Sequence, residues 1–381
     1  MIELPLKGLI VVELCQYLSG PSAALRLADL GARVIKIERP NGGDAGRKLA
    51  IKNLWADESS LLFHTINRNK ESFTANLKNA HDIDIVKKIL TKADVLIHNF
   101  RPGVMEKIGL SYADTMTVNP RLIFAEISGY GKEGPWKNKP GQDLLLQSIT
   151  GLTYTTGNGD NGPVPFGIAI GDILAGAQLV QGILAALIRR QKTNKGALIE
   201  VSLVETLLDF QFELFTTYFA RNQQPKRSSI NNGHPLLSAP YGIYKTTDGY
   251  IALAMMDIHG LAEASGCDSL YSFSKEDVFA ERDKIKAALA DQLEKQSSAY
   301  WIQRLHDSGL WAMEVLDWEK MMEMDAYKIL QMEQVINLKD KQIMTTRCPI
   351  KINGERLFTG KAAPYLGQHT KVILEELLEK K

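Results

Sequence analysis

The sequence predicts an α/β protein: a large doubly wound, Rossmann-like domain on a parallel sheet, with a smaller α+β domain. Three observations lead there. The N-terminal stretch runs strand, tight turn, helix, strand. The same alternation recurs further along the chain, through about residue 200. The length, 381 residues, leaves room for two or three domains at roughly 150 residues each.

Taken in order, residues 9–14 (LIVVEL) form a β-rich apolar run, punctuated by Ser19-Gly20-Pro21. Residues 23–30 have helical spacing, and 33–38 (RVIKIE) read as a second strand. This βαβ unit implies parallel strands with a right-handed crossover. An amphipathic helix at 83–90 feeds a strand at 95–97, and 122–127 is another strand ending at Ser128-Gly129. The apolar run 173–188 contains Gln178 and Gln181 and reads as a buried helix rather than a membrane span. Its continuation places Arg189, Arg190 and Lys192 at the C-terminal end, where cations favour the helix dipole. A strand at 198–203 leads into one long apolar helix near 204–219. Residues 221–233 are polar and read as a linker or exposed loop. Residues 241–244 and 250–254 suggest a hairpin around Thr247-Asp248-Gly249. Ser274 to Asp277 resembles a capping box opening helical territory with Ile285, Ala288, Leu289 and Leu293 on one face. The expected division is 1–225 for the large domain, 226–330 for the small one, and 331–381 returning to the large domain.

Composition narrows the function. Lys+Arg number 45 against 44 Asp+Glu, a net charge of +1, which argues against nucleic acid as the main partner. A local basic pocket for one phosphorylated ligand remains compatible. Cys15, Cys267 and Cys348 lie far apart, with no CxxC and no neighbouring histidine cluster. That fits neither a disulfide framework nor a metal site, and it suits a reducing cytoplasm. The N-terminus has no basic n-region, so no signal peptide is expected and the chain is expected to be cytoplasmic.

Motifs for common chemistries fare poorly. A dinucleotide fold wants GxGxxG after the first strand, but the turn offers Gly20 followed by Pro21, which lacks an N–H. Glu38 does stand where a ribose-binding acid would. GxSxG and HExxH are absent, and His64, His81 and His98 fall inside regular elements where a structural role is the default. The segment 163–176 (PVPFGIAIGDILAG) says more. Asp172 stands at the mouth of the long apolar helix, and two readings stay open. It is an N-cap, or it is an ionised carboxylate able to attack an acyl carbon, with Gly171, Ala175 and Gly176 leaving room for the acyl group. Lys36 and Arg39 end the second strand. Asn99, Phe100 and Arg101 follow the strand at 95–97, with Lys107 one turn on. Both clusters would lie at carboxyl ends of parallel strands, where open α/β sheets bind ligands and where cations can hold phosphates.

Assembled, these motifs resemble the class III CoA-transferases (the formyl-CoA transferase or CaiB/BaiF family). The resemblance covers nearly the whole chain: LxGLxVVEL…SGP at 6–21, LADLGARVIKIERPxGGD at 27–44, NRNKESFTANLK at 67–78, NFRPGVMEKIGL at 99–110, ISGYGKEGPW at 127–136, GxAIGDILAG at 167–176, and the terminal PYLGQHTKVIL. It implies an interlocked homodimer that exchanges CoA between an acyl-CoA and a small carboxylic acid, with no tightly bound cofactor. By resemblance Asp172 is the catalytic carboxylate, passing through a mixed anhydride and an enzyme-bound CoA thioester. Arg39 would meet the adenosine phosphate end, and Asn76 and Lys78 line the nucleotide. Asn99, Phe100 and Arg101 contact CoA, with Lys107 in place of a family arginine. Lys139 and Gln142 lie near the pantetheine and thioester. Related racemases carry His in a G-H-D triplet, whereas this chain has Gly141-Gln142-Asp143, which removes one base and favours transfer. Formyl-CoA transferase has Tyr at the Gln142 position, Gln at the Leu18 position, and a tetraglycine loop that this chain lacks. The rival readings are an acyl-CoA racemase of the same fold and a non-catalytic CoA-binding protein.

Overall fold

The computed structural model describes residues 3–379. They fall into two compact units. The first takes Met1–Leu146, Ala169–Leu207 and Ile329–Lys381, and the second takes Gln147–Ile168 and Leu208–Lys328.

In the first unit six strands form one sheet: β1 (Ile10–Leu14), β2 (Arg33–Glu38), β3 (Glu71–Thr74), β4 (Val95–His98), β5 (Ile123–Ser128) and β6 (Ala197–Ser202). Their order is β3-β2-β1-β4-β5-β6, and every pairing is parallel. The order reverses between β1 and β4, the switch point where doubly wound sheets take ligands. Both sheet faces are covered, as parallel strands require. Val12, Leu14, Ile35 and Phe124 face the helix α2 (Ala80–Leu90), which buries Ile83, Val86, Ile89 and Leu90. The other face carries α1 (Ser19–Asp29), which follows β1.

Helix α3 (Asp143–Ile149) precedes the long α4 (Ile170–Thr193). By length and composition α4 could cross a membrane. One face, however, is buried through Ala175, Leu179 and Ile183, and at its far end Arg190 is buried and ion-paired to Asp94 at 2.7 Å. The single long helix expected near 204–219 is instead two, α5 (Leu203–Phe210) and α6 (Phe212–Arg221). They part at Gln211, whose buried amide donates to the Thr150 carbonyl at 3.2 Å. A buried amide must find a partner, and this one finds it outside the helix.

The second unit holds an antiparallel sheet of β7 (Gly242–Lys245), β8 (Tyr250–Leu253) and β9 (Ala312–Glu314), with β8 central. It packs against α7 (Ile258–Ser265), α8 (Arg282–Leu293) and α9 (Ser298–Asp307) around Tyr244, Ile251, Leu289 and Trp301. The expected capping box at Ser274 does not form: its N–H and hydroxyl both donate to Asp277 Oδ2 at 2.8 Å, and the short helix Asp277–Ala280 starts at Glu276 without a side-chain cap. The expected boundary after 225 lies inside this unit. Residues 147–168 belong here because Gly159 N–H donates to the Ser228 carbonyl and Asn232 N–H to Asn158 Oδ1. The 226–233 loop is held from the other side as well. Lys286 donates to Ser228 Oγ and to the Asn231 carbonyl, each at 3.0 Å.

In the C-terminal part of the first unit, β10 (Glu333–Asn337) and β11 (Gln342–Thr346) form a hairpin. A final helix, α10 (Thr370–Leu374), follows residues that edge β3: His369 N–H donates to the Ser72 carbonyl and Thr74 N–H to Thr370 Oγ1.

Candidate active site

All sheet strands run the same way, so whatever follows a strand lies on one edge of the first unit. Arg39 follows β2, Asn76 and Lys78 follow β3, Asn99 to Arg101 follow β4, and Lys139 and Gln142 follow β5. Lys107 closes the short helix Val104–Lys107 just beyond. Helix α1 starts at that edge because β1 ends there. Helix α4 starts there too, because its other end feeds the opposite end of β6. Two helix N-termini, each with partial positive charge, thus meet on the ligand-binding edge.

Asp172 lies in the first turn of α4, but it is not the N-cap. Ala169 holds that position, without a side-chain cap. The cap comes from another helix: Asp143, at the start of α3, accepts from the Gly171 N–H at 2.7 Å and the Asp172 N–H at 3.1 Å. Only glycine allows this approach at 171, since a Cβ there would stand 2.9 Å from Asp143 Oδ1. Freed from capping, the Asp172 carboxylate lies beside the Ser19 side chain at the start of α1, which favours its ionised form. Burial first, and then the charge of Asp143, push its pKa up to about 6 against the pull of Ser19. A carboxyl tuned to that value is ionised near neutral pH yet poorly solvated, which suits a nucleophile.

The small residues near Asp172 do a different job from the one expected. Gly171, Ala175 and Gly176 are buried. A Cβ at Gly176 would lie 2.4 Å from Ser22 Oγ and 2.9 Å from the Ser19 carbonyl. Gly176 thus lets α4 press against α1, bringing Ser19 towards Asp172, while Gly171 admits Asp143; both glycines are spent on helix contacts.

Asn99 joins the two sides of the switch point. Its Oδ1 accepts from the Gln16 N–H at 2.9 Å, and its amide donates to the Gln16 carbonyl at 2.8 Å and towards Ser19 Oγ at 3.4 Å. Asn99 therefore connects to Asp172 through Ser19. The remaining candidates flank this core. Arg39 is exposed and donates to the Gly43 carbonyl at 2.7 Å. Asn76 accepts from the Lys78 N–H at 3.1 Å in an exposed turn. Phe100 is half-buried with its ring 6.2 Å from that of His98. Arg101, Lys107 and Gln142 are exposed, and the Lys139 ammonium sits 5.8 Å from the Trp136 ring.

Two expectations fall. Lys36 is fully buried and ion-paired to Glu13 at 2.9 Å and Asp44 at 2.8 Å, so it cannot meet a phosphate. Glu38 is equally committed. Arg47 donates to both its oxygens, at 2.7 and 2.8 Å, and Ser72 adds a third bond. Burial works to raise the Glu38 pKa, but Arg47 wins and holds it below the usual range. No ribose could displace these partners, and the dinucleotide reading ends there. His64 and His98 are buried, His64 against the Ala56 carbonyl and His98 3.3 Å from Glu126. Among the described residues no His, Cys, Asp and Glu side chains group as a metal site would require.

The sequence reading missed Ser19 and the capping role of Asp143. A serine at a strand-to-helix turn and an acid opening a helix were visible, but which Asp they meet was not.

Comparison with known proteins settles the lineage. The model of CoA-transferase family III matches residues 6–370. The chain belongs to that family. It is 34% identical to an acetyl-CoA:oxalate CoA-transferase of Acetobacter aceti, over 92% of this chain and 90% of that protein. It is 29% identical to a succinate–glutarate CoA-transferase of Agrobacterium fabrum, over 98% of this chain and 96% of that one. Among solved structures, a CaiB/BaiF family protein from Brucella suis superimposes with a TM-score of 0.85 at 30% identity, covering 98% of this chain and 99% of the other.

Proposed function

We propose that this family member moves CoA from an acyl-CoA to a small carboxylic acid, a dicarboxylic one as in the relatives' names, with Asp172 as nucleophile. The observation that carries the assignment is a half-buried carboxylate at the N-terminus of α4 on the ligand edge, relieved of capping by Asp143 and with its pKa pushed up to about 6. In the first step Asp172 attacks the thioester carbonyl, the C–S bond breaks and CoA thiolate leaves, giving a mixed anhydride. The thiolate then attacks the aspartyl carbonyl, releasing the donor acid and leaving CoA on Asp172. The acceptor carboxylate attacks that thioester, CoA leaves again and attacks the acceptor's acyl carbon, and Asp172 is regenerated. No proton or water is consumed, so each step keeps the thioester's free energy provided water is excluded. The helix end favours the anion by about 0.3–1 kcal/mol.

In this reading Arg39, Lys78, Arg101, Lys107 and Lys139 supply the cations for the CoA phosphates. Asn76, Asn99, Phe100 and Gln142 supply polar and stacking contacts. CoA and the acids are substrates, and no resident cofactor is required. Gln142 cannot relay a proton, and Asp143 is already committed to two backbone N–H groups. Both facts favour transfer over racemisation. The protein would act as an interlocked homodimer, supported by the exposure of Ile173, Ile188, Phe212 and Phe219 in the single chain. Cys15, Cys267 and Cys348 are buried free thiols, in keeping with a place in the reducing cytoplasm.

The test is peptide mass spectrometry after mixing the protein with acetyl-, succinyl- or formyl-CoA and trapping with hydroxylamine. A hydroxamate on the Asp172 peptide is the expected result. No mark with any donor, together with α-proton exchange from a 2-methylacyl-CoA in deuterated water, overturns the assignment in favour of racemisation.

A further inference from the structure

Beneath the β1–α1 loop lies a cluster of two acids and two lysines that the transfer chemistry does not use. Glu13 and Lys36 are register partners on β1 and β2, and both are fully buried. Lys36 Nζ donates to Glu13 Oε1 at 2.9 Å and to the Cys15 carbonyl at 2.8 Å, and it pairs with Asp44 Oδ2 at 2.8 Å. Lys70, also fully buried, pairs with Glu13 Oε2 at 2.9 Å and donates to the Pro21 carbonyl and to Asn67 Oδ1, each at 2.9 Å. Asp44 Oδ1 accepts from the Tyr17 N–H at 3.2 Å and the Gly46 N–H at 2.8 Å.

Each ion of this cluster except Glu13 ends on the backbone of the loop, and Glu13 anchors both lysines. Cys15 is held by Lys36, Tyr17 by Asp44 and Pro21 by Lys70, while Asn99 holds Gln16. Between the last two anchors sits Ser19. Tyr17 lies at φ 64, a left-handed conformation unusual for a tyrosine that only surrounding contacts maintain. Buried ion pairs are poor stabilisers, since apolar residues of similar volume generally do as well. Their value lies in fixing one geometry, and the geometry fixed here is that of the loop presenting the Ser19 hydroxyl.

We propose that the Glu13–Lys36–Asp44–Lys70 cluster is a positioning device that holds Ser19 on Asp172 and so sets the reactivity of that carboxylate. The proposal rests on the assignment of Asp172 as nucleophile. It makes Asp44 and Lys70 positioning residues that act through Ser19 without touching substrate. The Ser19 backbone packs against α4 at Gly176, one turn from Asp172, so loosening the loop moves the Ser19 hydroxyl away from that carboxylate. Asp172, still facing Asp143 from α3, then loses the group that favours its ionised form.

The experiment measures single-turnover labelling of Asp172 by an acyl-CoA against pH in the full-length protein. The variants are Ser19→Ala, Asp44→Ala, Asp44→Asn, Lys70→Met and the doubles with Ser19→Ala. Labelling of the wild type, required at the outset, tests the nucleophile assignment separately. Asp44→Ala and Lys70→Met are expected to slow labelling by about tenfold or more and to move its pH midpoint upward, as Ser19→Ala does. Asp44→Asn keeps an oxygen for the Tyr17 N–H but sets its amide NH2 against the Lys36 ammonium, and is expected to recover only part of the rate. Adding Ser19→Ala to either loop variant is expected to change little further, because both act through one hydroxyl. Circular dichroism identifies variants that fail to fold. Lys70→Met leaves Glu13 paired to Lys36 and is expected to remain folded. Labelling at the wild-type midpoint in a folded Lys70→Met protein, or full additivity with Ser19→Ala, overturns the proposal.

Discussion

Two groups of acids, buried or half-buried, lie against the β1–α1 loop, and the fold treats them in opposite ways. Glu13 and Asp44, beneath it, are matched by Lys36 and Lys70. Asp172 faces a second acid, Asp143, and a neutral hydroxyl. The matched group is inert and serves geometry. In the other, burial and a like charge raise the energy of the anion, and that is what a nucleophile needs. The contrast shows that burial alone does not make a carboxylate reactive; the charge of its neighbours decides.

The sharpest way to break this comparison is to neutralise Asp172. Asp172→Asn is expected to abolish transfer, by about a thousandfold or more. It should also make the protein more stable near neutral pH. The sign follows from the raised pKa: between 3.8 and about 6 the native state binds more protons than the unfolded one, so ionised Asp172 costs stability above that window. At 1.36 kcal/mol per unit the ceiling is about 3 kcal/mol. Thermal melts of wild type and variant should diverge at about pH 7.5 and converge below about pH 4. Equal stability at both would mean that the anion is not destabilised by its surroundings.

Gly176→Ala tests the helix contact that joins the two acid groups. The added methyl meets Ser22 and the Ser19 backbone, so transfer should fall about a hundredfold and stability by about 1–3 kcal/mol. Gly167→Ala, where no heavy atom lies within 4 Å of the new Cβ, is the matched control and should be nearly silent in the same melts and assays.

Asp143→Asn sharpens the comparison more finely. It keeps an oxygen to cap the Gly171 and Asp172 N–H groups and removes the like charge. The pH midpoint of Asp172 labelling should therefore fall below that of the wild type. Asp143→Ala also loses the cap, at a cost of about 1 kcal/mol in urea unfolding. An unmoved midpoint in Asp143→Asn would leave burial as the sole cause of the shift.

The smallest effects are expected at the exposed cations. Arg39→Ala and Arg101→Ala should each weaken CoA binding by about 1–2 kcal/mol, measured by calorimetry, with the loss shrinking as salt is added. A change at Lys36 cannot be read this way, because that side chain never reaches solvent.

Much of this molecule follows from local sequence. The runs IVVEL, RVIKIE and IFAEIS are apolar and β-rich because their strands are covered on both faces, and the helices between them make the pairings parallel. Parallel pairing places every strand-following loop on one edge, which is why Arg39, Asn99 and Arg101 could be assigned to a ligand edge from spacing alone. The same strands held a signal that was passed over. A glutamate in IVVEL and a lysine in RVIKIE, inside strands covered on both faces, announce a buried ion pair rather than a phosphate contact.

The tertiary structure decided what those residues touch. Asp172 was equally readable as a cap and as a nucleophile, since a first-turn acid satisfies both patterns. The capping role is taken by Asp143, and Ser19 arrives beside Asp172 because Gly171 and Gly176 allow α3 and α1 to close on α4. None of these partners is close in sequence to the residue it meets. Local pattern sets which face of an element is apolar; only packing sets which polar groups share the space between elements, and hence which carboxylate is paired with a cation and which faces another acid.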